Sequence, residues 1–215
     1  MVEGLTGRRV EDEAGIRACF AKGEIPVIVD PDLAKTRSLQ PVVIVDARLK
    51  KQFETDYTDQ VDKLIGLGPG FSAGENCLAV IETNRGPDLG RVIWHGRTEP
   101  DTGRPEQVQD HSETRVLRAP AAGRLATGFA IKDTVRKGEI IATIGDAEIS
   151  AAFDGVVRGL LVDGTQVKAG MKVGDLDPRG DAELAVKISD KALAVGGGVV
   201  EAVVGQAERR KLLLG

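Results

Sequence analysis

Two groups of residues in this chain have types and spacing suited to chemistry. Asp46 and Arg48 stand two apart at the end of an apolar run, Val42-Val43-Ile44-Val45, with Lys50 just beyond; a carboxylate and a guanidinium there could hold a polar ligand. Gly66, Gly68 and Gly70 lie in Leu64-Ile65-Gly66-Leu67-Gly68-Pro69-Gly70-Phe71-Ser72-Ala73-Gly74, where the amides are unencumbered by side chains, the composition of an anion cradle. The spacing is neither that of a P-loop nor of a dinucleotide fingerprint, and a tight turn between β elements accounts equally for the glycines. Gly196, Gly197 and Gly198 at a helix start could leave amides for an anion, or could allow close packing. A nucleophile with its base is missing from the pattern. His95 and His111 have no recognisable partner, Cys77 follows no base-bearing motif, and Cys19 and Cys77 form no metal-ligand or disulfide pattern.

The elements that must position these residues can be read from periodicity. Residues 11–22 place acids first, Ile16, Cys19 and Phe20 on one face, and Gly23 after the end, which predicts an amphipathic helix. Ile25-Pro26-Val27-Ile28-Val29 and residues 42–45 each end in aspartate, Asp30 and Asp46, and read as buried parallel strands of one α/β layer. Ligands bind at the carboxyl ends of such strands, although both aspartates could instead cap the next turn or helix. Residues 77–83 and 91–96 predict a hairpin, residues 51–63 a polar helix or loop, and residues 97–113 a mobile connector. Residues 185–188 predict a last strand. Ser189 is a candidate N-cap, and a helix resumes after Gly198 towards Arg209, Arg210 and Lys211.

Residues 116–176 contain one pattern written twice. At an offset of about 32 residues, Gly123 falls on Gly155, Val135 on Val167, Gly138 on Gly170 and Leu125 on Val157, the signature of a duplicated β unit. About 30 residues cannot bury a core alone, so the copies must fold against each other. The pattern resembles biotinyl and lipoyl carrier domains, which implies a barrel-sandwich hybrid. Those carriers are modified on a lysine at the turn joining the halves, but Gly145-Asp146-Ala147-Glu148 stands there, so neither covalent biotin nor lipoate is expected. The expected fold is therefore α+β: an α/β domain over 1–110, a barrel-sandwich hybrid over 116–176, and a strand and helix over 177–215 packing back on the first domain.

Composition narrows the partners. The chain has 215 residues with 27 glycines, nearly twice the usual ~7% share, and only 3% aromatics, so its cores must be built from Val, Ile, Leu and Ala. A net charge of −4 with interspersed cations disfavours nucleic acid and anionic membranes. No run of about 18 apolar residues and no secretory signal pattern is present, which predicts a cytoplasmic protein.

Several long blocks, "IGLGPGFSAG" (65–74), "VIETNRGPDLGRVIWHG" (80–96), "RVLRAPAAG" (115–123), "KVGDLDPRGD" (172–181) and "ISDKALAVGGGVVEAV" (188–203), resemble a bacterial family, the accessory proteins of the selenium-dependent molybdenum hydroxylase system, which keeps company with xanthine dehydrogenase maturation. The resemblance covers nearly all the chain from about residue 8. It implies a maturation role served by binding rather than catalysis, with the 66–74 loop, Glu82, Arg85 and Asp88 as the contact surface. The implied partners are the hydroxylase or its maturation proteins, and a homo-oligomer is compatible. The ligand is unspecified, with a molybdopterin form or a nucleotide as the classes to test. Family members begin with a further strand, glycine loop and helix, which this sequence does not contain. The alternative reading is a nucleotide- or molybdopterin-binding α/β enzyme.

Overall fold

Short β-branched runs cut by glycine and proline yield short strands: strands hold 31% of the described residues and helices 18%. The structure is a computed structural model describing residues 2–53, 61–101 and 114–205. His111, Arg209, Arg210, Lys211 and much of the 51–63 and 97–113 segments fall outside those residues. The chain folds as two units, Leu5–Thr102 with Ile188–Gly215, and Met1–Gly4 with Gly103–Lys187.

The first unit opens with β1 (Gly7–Arg9), α1 (Glu13–Ala21) and β2 (Ile25–Val27). Asp12 caps α1 by accepting the Gly15 N–H at 2.8 Å. The sequence predicts β2 inside the main parallel layer; it pairs instead with β1 in a separate two-stranded parallel sheet, with Ile25 and Val27 exposed. Pro26 supplies a physical reason, because a strand containing proline lacks a ladder donor and is confined to edges. After α2 (Ala34–Ser38) come β3 (Ile44–Asp46), β4 (Leu64–Leu67), β5 (Ser72–Ala73), β6 (Ala79–Ile81), β7 (Val92–Ile93) and β8 (Gly96–Arg97). β3, β4 and β6 are parallel neighbours and β7 adds antiparallel, giving the order β3-β4-β6-β7, while β5 pairs with β8.

Side chains alternate across that sheet. Ile65, Leu67, Ala79 and Ile81 pack against Val195, Val199 and Ala202 of α3 (Asp190–Val204), and Leu64, Phe71, Cys77 and Val80 form a separate cluster. Ser189 caps α3 through Ala192 N–H at 3.1 Å. The expected strand at 185–188 is replaced by a 3-10 turn, Ala182–Val186, which Asp181 starts by accepting the Glu183 N–H.

The second unit carries the duplication. The first copy supplies β9 (Val116–Arg118), β10 (Gly123–Ala126), β11 (Thr134–Val135) and β12 (Ile140–Ile144). The second supplies β13 (Ala147–Ser150), β14 (Gly155–Leu160), β15 (Gln166–Val167) and β16 (Lys172–Asp177). The pairing repeats with the sequence. Leu125 opposite Ile144 in β10–β12 becomes, 32 residues on, Val157 opposite Leu176 in β14–β16, and Gly123 opposite Val167 answers Gly155 opposite Val135. The two sheets run β13-β12-β10-β15 and β11-β14-β16-β9, so each takes two strands from each copy. One shared apolar cluster contains Leu125, Ile141 and Ile149 together with Val157, Val173 and Leu176.

The expected barrel-sandwich hybrid is corrected here. The described residues form several small open sheets, mostly strand, and no closed barrel; their single long helix is α3 at the C-terminal end. Strands of two to six residues with register shifts in β12–β13, β14–β16 and β16–β9 do not sustain the continuous stagger that closure requires.

A Cβ on Gly155 would stand 2.6 Å from the Asp177 carbonyl oxygen, a backbone atom that cannot yield alone. Gly155→Ala should therefore destabilise the duplicated unit by about 1–3 kcal/mol, read as faster hydrogen exchange in β14 and β16; protection equal to wild type would contradict the close packing.

Candidate functional site at the carboxyl ends of the parallel strands

The register places Asp46 beside Gly66, Gly66 beside Val80, and Leu67 beside Ile81. The segments leaving β3, β4 and β6 therefore emerge along one rim. They carry Asp46 and Arg48, Gly68 and Gly70, and Glu82, Arg85 and Asp88, so the sequence-derived candidates from three separate segments are brought together.

Asp46 is buried, and its carboxylate is held by Arg48. The Arg48 amide and Nε reach Oδ1 at 3.0 Å each, and Nη2 reaches Oδ2 at 2.6 Å. Burial alone would raise the Asp46 pKa, but the Arg48 hydrogen bonds and the charges of Arg48 and Lys50 outweigh it and hold the carboxyl below its usual range. Asp30, the other strand-end aspartate, lies off this rim. It accepts the Lys35 and Thr36 amides and the Thr36 hydroxyl, capping the start of α2.

The glycine loop is shaped by packing. A Cβ on Gly66 would enter the Phe71 ring at 2.1 Å, one on Gly70 would meet Lys50 Cβ at 2.5 Å, and one on Gly68, where φ is +83°, would reach Thr83 Oγ1 at 2.8 Å. The Gly68 amide is already given to the Ile81 carbonyl at 3.1 Å. Phe71 folds back onto β4, and the loop is a tight turn joining strand ends.

Glu82 is 3% exposed, and backbone amides engage both of its oxygens. Oε1 accepts from Thr83 and Asn84 at 2.7 Å each, and Oε2 from Glu99 at 2.8 Å. Arg85 forms a two-pronged pair with Asp190 at 2.6 and 2.8 Å, which lowers the Asp190 pKa. Asp88 pairs with Arg91 at 2.9 Å. Gly196, Gly197 and Gly198 lie inside α3 rather than at its start, so their amides belong to the helix. A Cβ on Gly198 would stand 2.1 Å from the Gly90 carbonyl oxygen, making close helix-to-turn packing its role.

Sequence reasoning missed the way Thr83, Asn84 and Glu99 close this rim around Glu82; only the short spacing of Glu82 to the Asn84-Arg85-Gly86 turn hinted at a capping carboxylate. It also missed a cleft of about 420 Å³ beside the start of β6, where Asp62, Cys77, Trp94 and His95 come together. The Cys77 thiol is fully buried, and burial raises its pKa to about 11 against weaker lowering by backbone hydrogen bonds, so at neutral pH it is protonated and a poor nucleophile. Among the described residues no group of His, Cys, Asp and Glu is arranged to hold a metal. None of the helices described is long and apolar enough to cross a membrane.

No known protein-family model matches the chain. The chain is 46% identical to the uncharacterized protein YqeB of Escherichia coli (strain K12) over 203 residues. That similarity spans 94% of the chain but 38% of the length of YqeB. Among solved structures, an aspartoacylase family protein from Mesorhizobium loti aligns at 16% identity over 39% of this chain and 32% of that one, with a TM-score of 0.28. The ectoine utilization protein EutE (DoeB) from Ruegeria pomeroyi aligns at 15% identity over 80% and 52%, with a TM-score of 0.25. Scores that low carry no argument about fold or activity.

Two outcomes test the rim. Because the folded pKa of Asp46 lies below the unfolded value of about 3.9, its contribution is fully present above that value and is lost as pH falls through the folded pKa. Asp46→Asn should thus lower stability at pH 7, with the gap to wild type closing below about pH 4, measured by denaturant unfolding followed through Trp94, the single tryptophan. Glu82→Gln turns an NH2 group towards backbone donors and should cost about 1–3 kcal/mol at pH 7; an unchanged denaturation midpoint would contradict the assigned hydrogen bonds.

Proposed function

We propose that the chain acts as an accessory protein in the maturation of a selenium-dependent molybdenum hydroxylase of the xanthine dehydrogenase kind, in the cytoplasm, by binding rather than by catalysis. The observation carrying the binding part is the rim itself. Three parallel strand ends present Asp46, the Gly68–Gly70 turn and the Glu82–Arg85 turn side by side, with acidic and basic groups already set in ion pairs. Such preordered groups suit recognition, since little side-chain entropy remains to be lost on contact. They do not form a nucleophile beside a base. The hydroxylase context comes from the sequence blocks, and YqeB, itself uncharacterized, adds no activity to it.

The same rim suits a second reading, in which it holds a nucleotide or a molybdopterin form, because open parallel sheets take ligands at their carboxyl ends. A swinging-arm carrier finds no support in the turn between β12 and β13, which carries Gly145 and Asp146 and no lysine.

Deleting the gene should abolish molybdenum hydroxylase activity in selenium-replete cells, and restoring an Arg85→Ala form should recover it only partly. Full activity in the deletion strain would sink the maturation role. In a thermal-shift screen against molybdate, selenite, nucleotides and molybdopterin cytidine dinucleotide, a ligand that raises Tm in wild type but not in Arg85→Ala or Asp46→Ala would favour the ligand-holding reading.

A further inference from the structure

Arg158 and Lys172, in the duplicated unit, each stand 3.6 Å from a carboxylate that is held more closely by another arginine. Arg158, three-quarters buried, stands at the register shift between β14 and β16 and comes no nearer to a carboxylate than 3.6 Å, to Asp177 Oδ2. Asp177 is already satisfied by Arg179, through Nε at 2.8 Å, Nη2 at 2.6 Å and the amide at 3.1 Å. Lys172 stands likewise 3.6 Å from Asp175, whose near partner is Arg115 at 2.6 and 3.1 Å. Among the described residues, neither Arg158 nor Lys172 makes a hydrogen bond through its charged group. A guanidinium that is largely withdrawn from water with its donors unused is costly unless something occupies them.

Both side chains line one cleft of about 410 Å³ together with Gly159, Leu160, Leu161, Val173, Gly174 and Asp175, whose carboxylate is held by Arg115. The local balance is five cations, Arg115, Arg118, Arg158, Lys172 and Arg179, against three carboxylates, Asp175, Asp177 and Asp181, an excess of two positive charges. Arg118 belongs to that count because it stands opposite Lys172 in the strand pair, and Asp181 because its charge acts on Arg179. Glu183, the nearby acid of the 3-10 turn, is engaged by Lys132 at 2.6 Å.

We propose that this cleft binds a phosphate monoester. Arg158 would meet two phosphate oxygens with its planar fork and Lys172 a third as a point charge, with the organic part of the ligand on the partly buried Leu160 and Leu161. The excess of two positive charges selects phosphate over carboxylate, because a phosphate monoester carries about −1.5 to −2 at pH 7 and a carboxylate a single charge. A Cβ on Gly159 would meet only Asp175 Cβ, at 3.9 Å, so there is room beside it, whereas Gly174 is packed against the Gly159 carbonyl at 2.8 Å and Leu117 Cδ1 at 2.9 Å. The site belongs to the duplicated unit alone and does not depend on the reading of the parallel-sheet rim.

The test titrates the full chain with inorganic phosphate, and separately with acetate, following backbone amides by NMR. Phosphate should move the amides of residues 158–161 and 172–175 saturably, with a Kd on the order of 1 mM, and should bind at least tenfold tighter than acetate. Arg158→Gln should weaken phosphate binding by about tenfold or more, and Lys172→Met by several-fold. Linear shifts spread over the surface, equal or tighter acetate binding, or an unchanged Kd in Arg158→Gln would each overturn the proposal. Should circular dichroism show Arg158→Gln unfolded, Lys172→Met decides, since that side chain is half exposed and its loss leaves the Arg115–Asp175 pair in place.

Discussion

The parallel-sheet unit depends on a carboxylate surrounded by backbone. Glu82 leaves β6 and gathers the amides of Thr83, Asn84 and Glu99, so one buried side chain fixes both the turn after β6 and the segment after β8. Withdrawing an unpartnered carboxylate from water would be prohibitive; three amide donors make it tolerable and give it direction. From that fixed turn Arg85 reaches the first turn of α3 at Asp190, and Gly90 admits Gly198 of the same helix. The sheet, the helix covering one of its faces, and the rim are thereby tied to a single buried charge.

Glycine then decides how closely the pieces approach. Composition left Gly66, Gly68 and Gly70 with two readings, amides open to an anion or a tight turn between β elements. In the fold they make room: for the Phe71 ring over β4, for Thr83 beside the turn, and for Lys50 against the loop. A glycine-rich loop and a glycine-tight loop have the same letters, and they differ in whether a bulky side chain elsewhere fills the space.

Much of the local order was legible. The duplicated punctuation of residues 116–176 predicts matched strands, and the pairing repeats at that offset. Ser189 caps α3, and β6 and β7 form the expected antiparallel pair. The larger arrangement was not. Resemblance suggested a barrel-sandwich hybrid, whereas the strands make separate open sheets, because closure depends on stagger, which letters do not encode. Pro26 could have warned that β2 would stand outside the main sheet. At the rim, the types of the candidate residues were readable, but their mutual ion pairs and the buried engagement of Glu82 depend on distances between segments far apart in sequence. Arg158 gave no signal at all: an arginine in a strand is ordinary until its carboxylate neighbour proves to be taken.

The interleaving of the two copies also dictates the order in which the duplicated unit can be made. As synthesis proceeds, β9 to β12 emerge first, and each of their sheets still lacks two strands. Leu125, Ile141 and Ile144 then lack the Val157, Val173 and Leu176 part of their shared cluster until β14 and β16 follow. The early half is an unfinished template with open edges, exposed to wrong pairing for as long as the ribosome takes to deliver its twin. For the same reason neither copy can drift alone over generations, since a change of volume on one side of the shared core must be answered by the other.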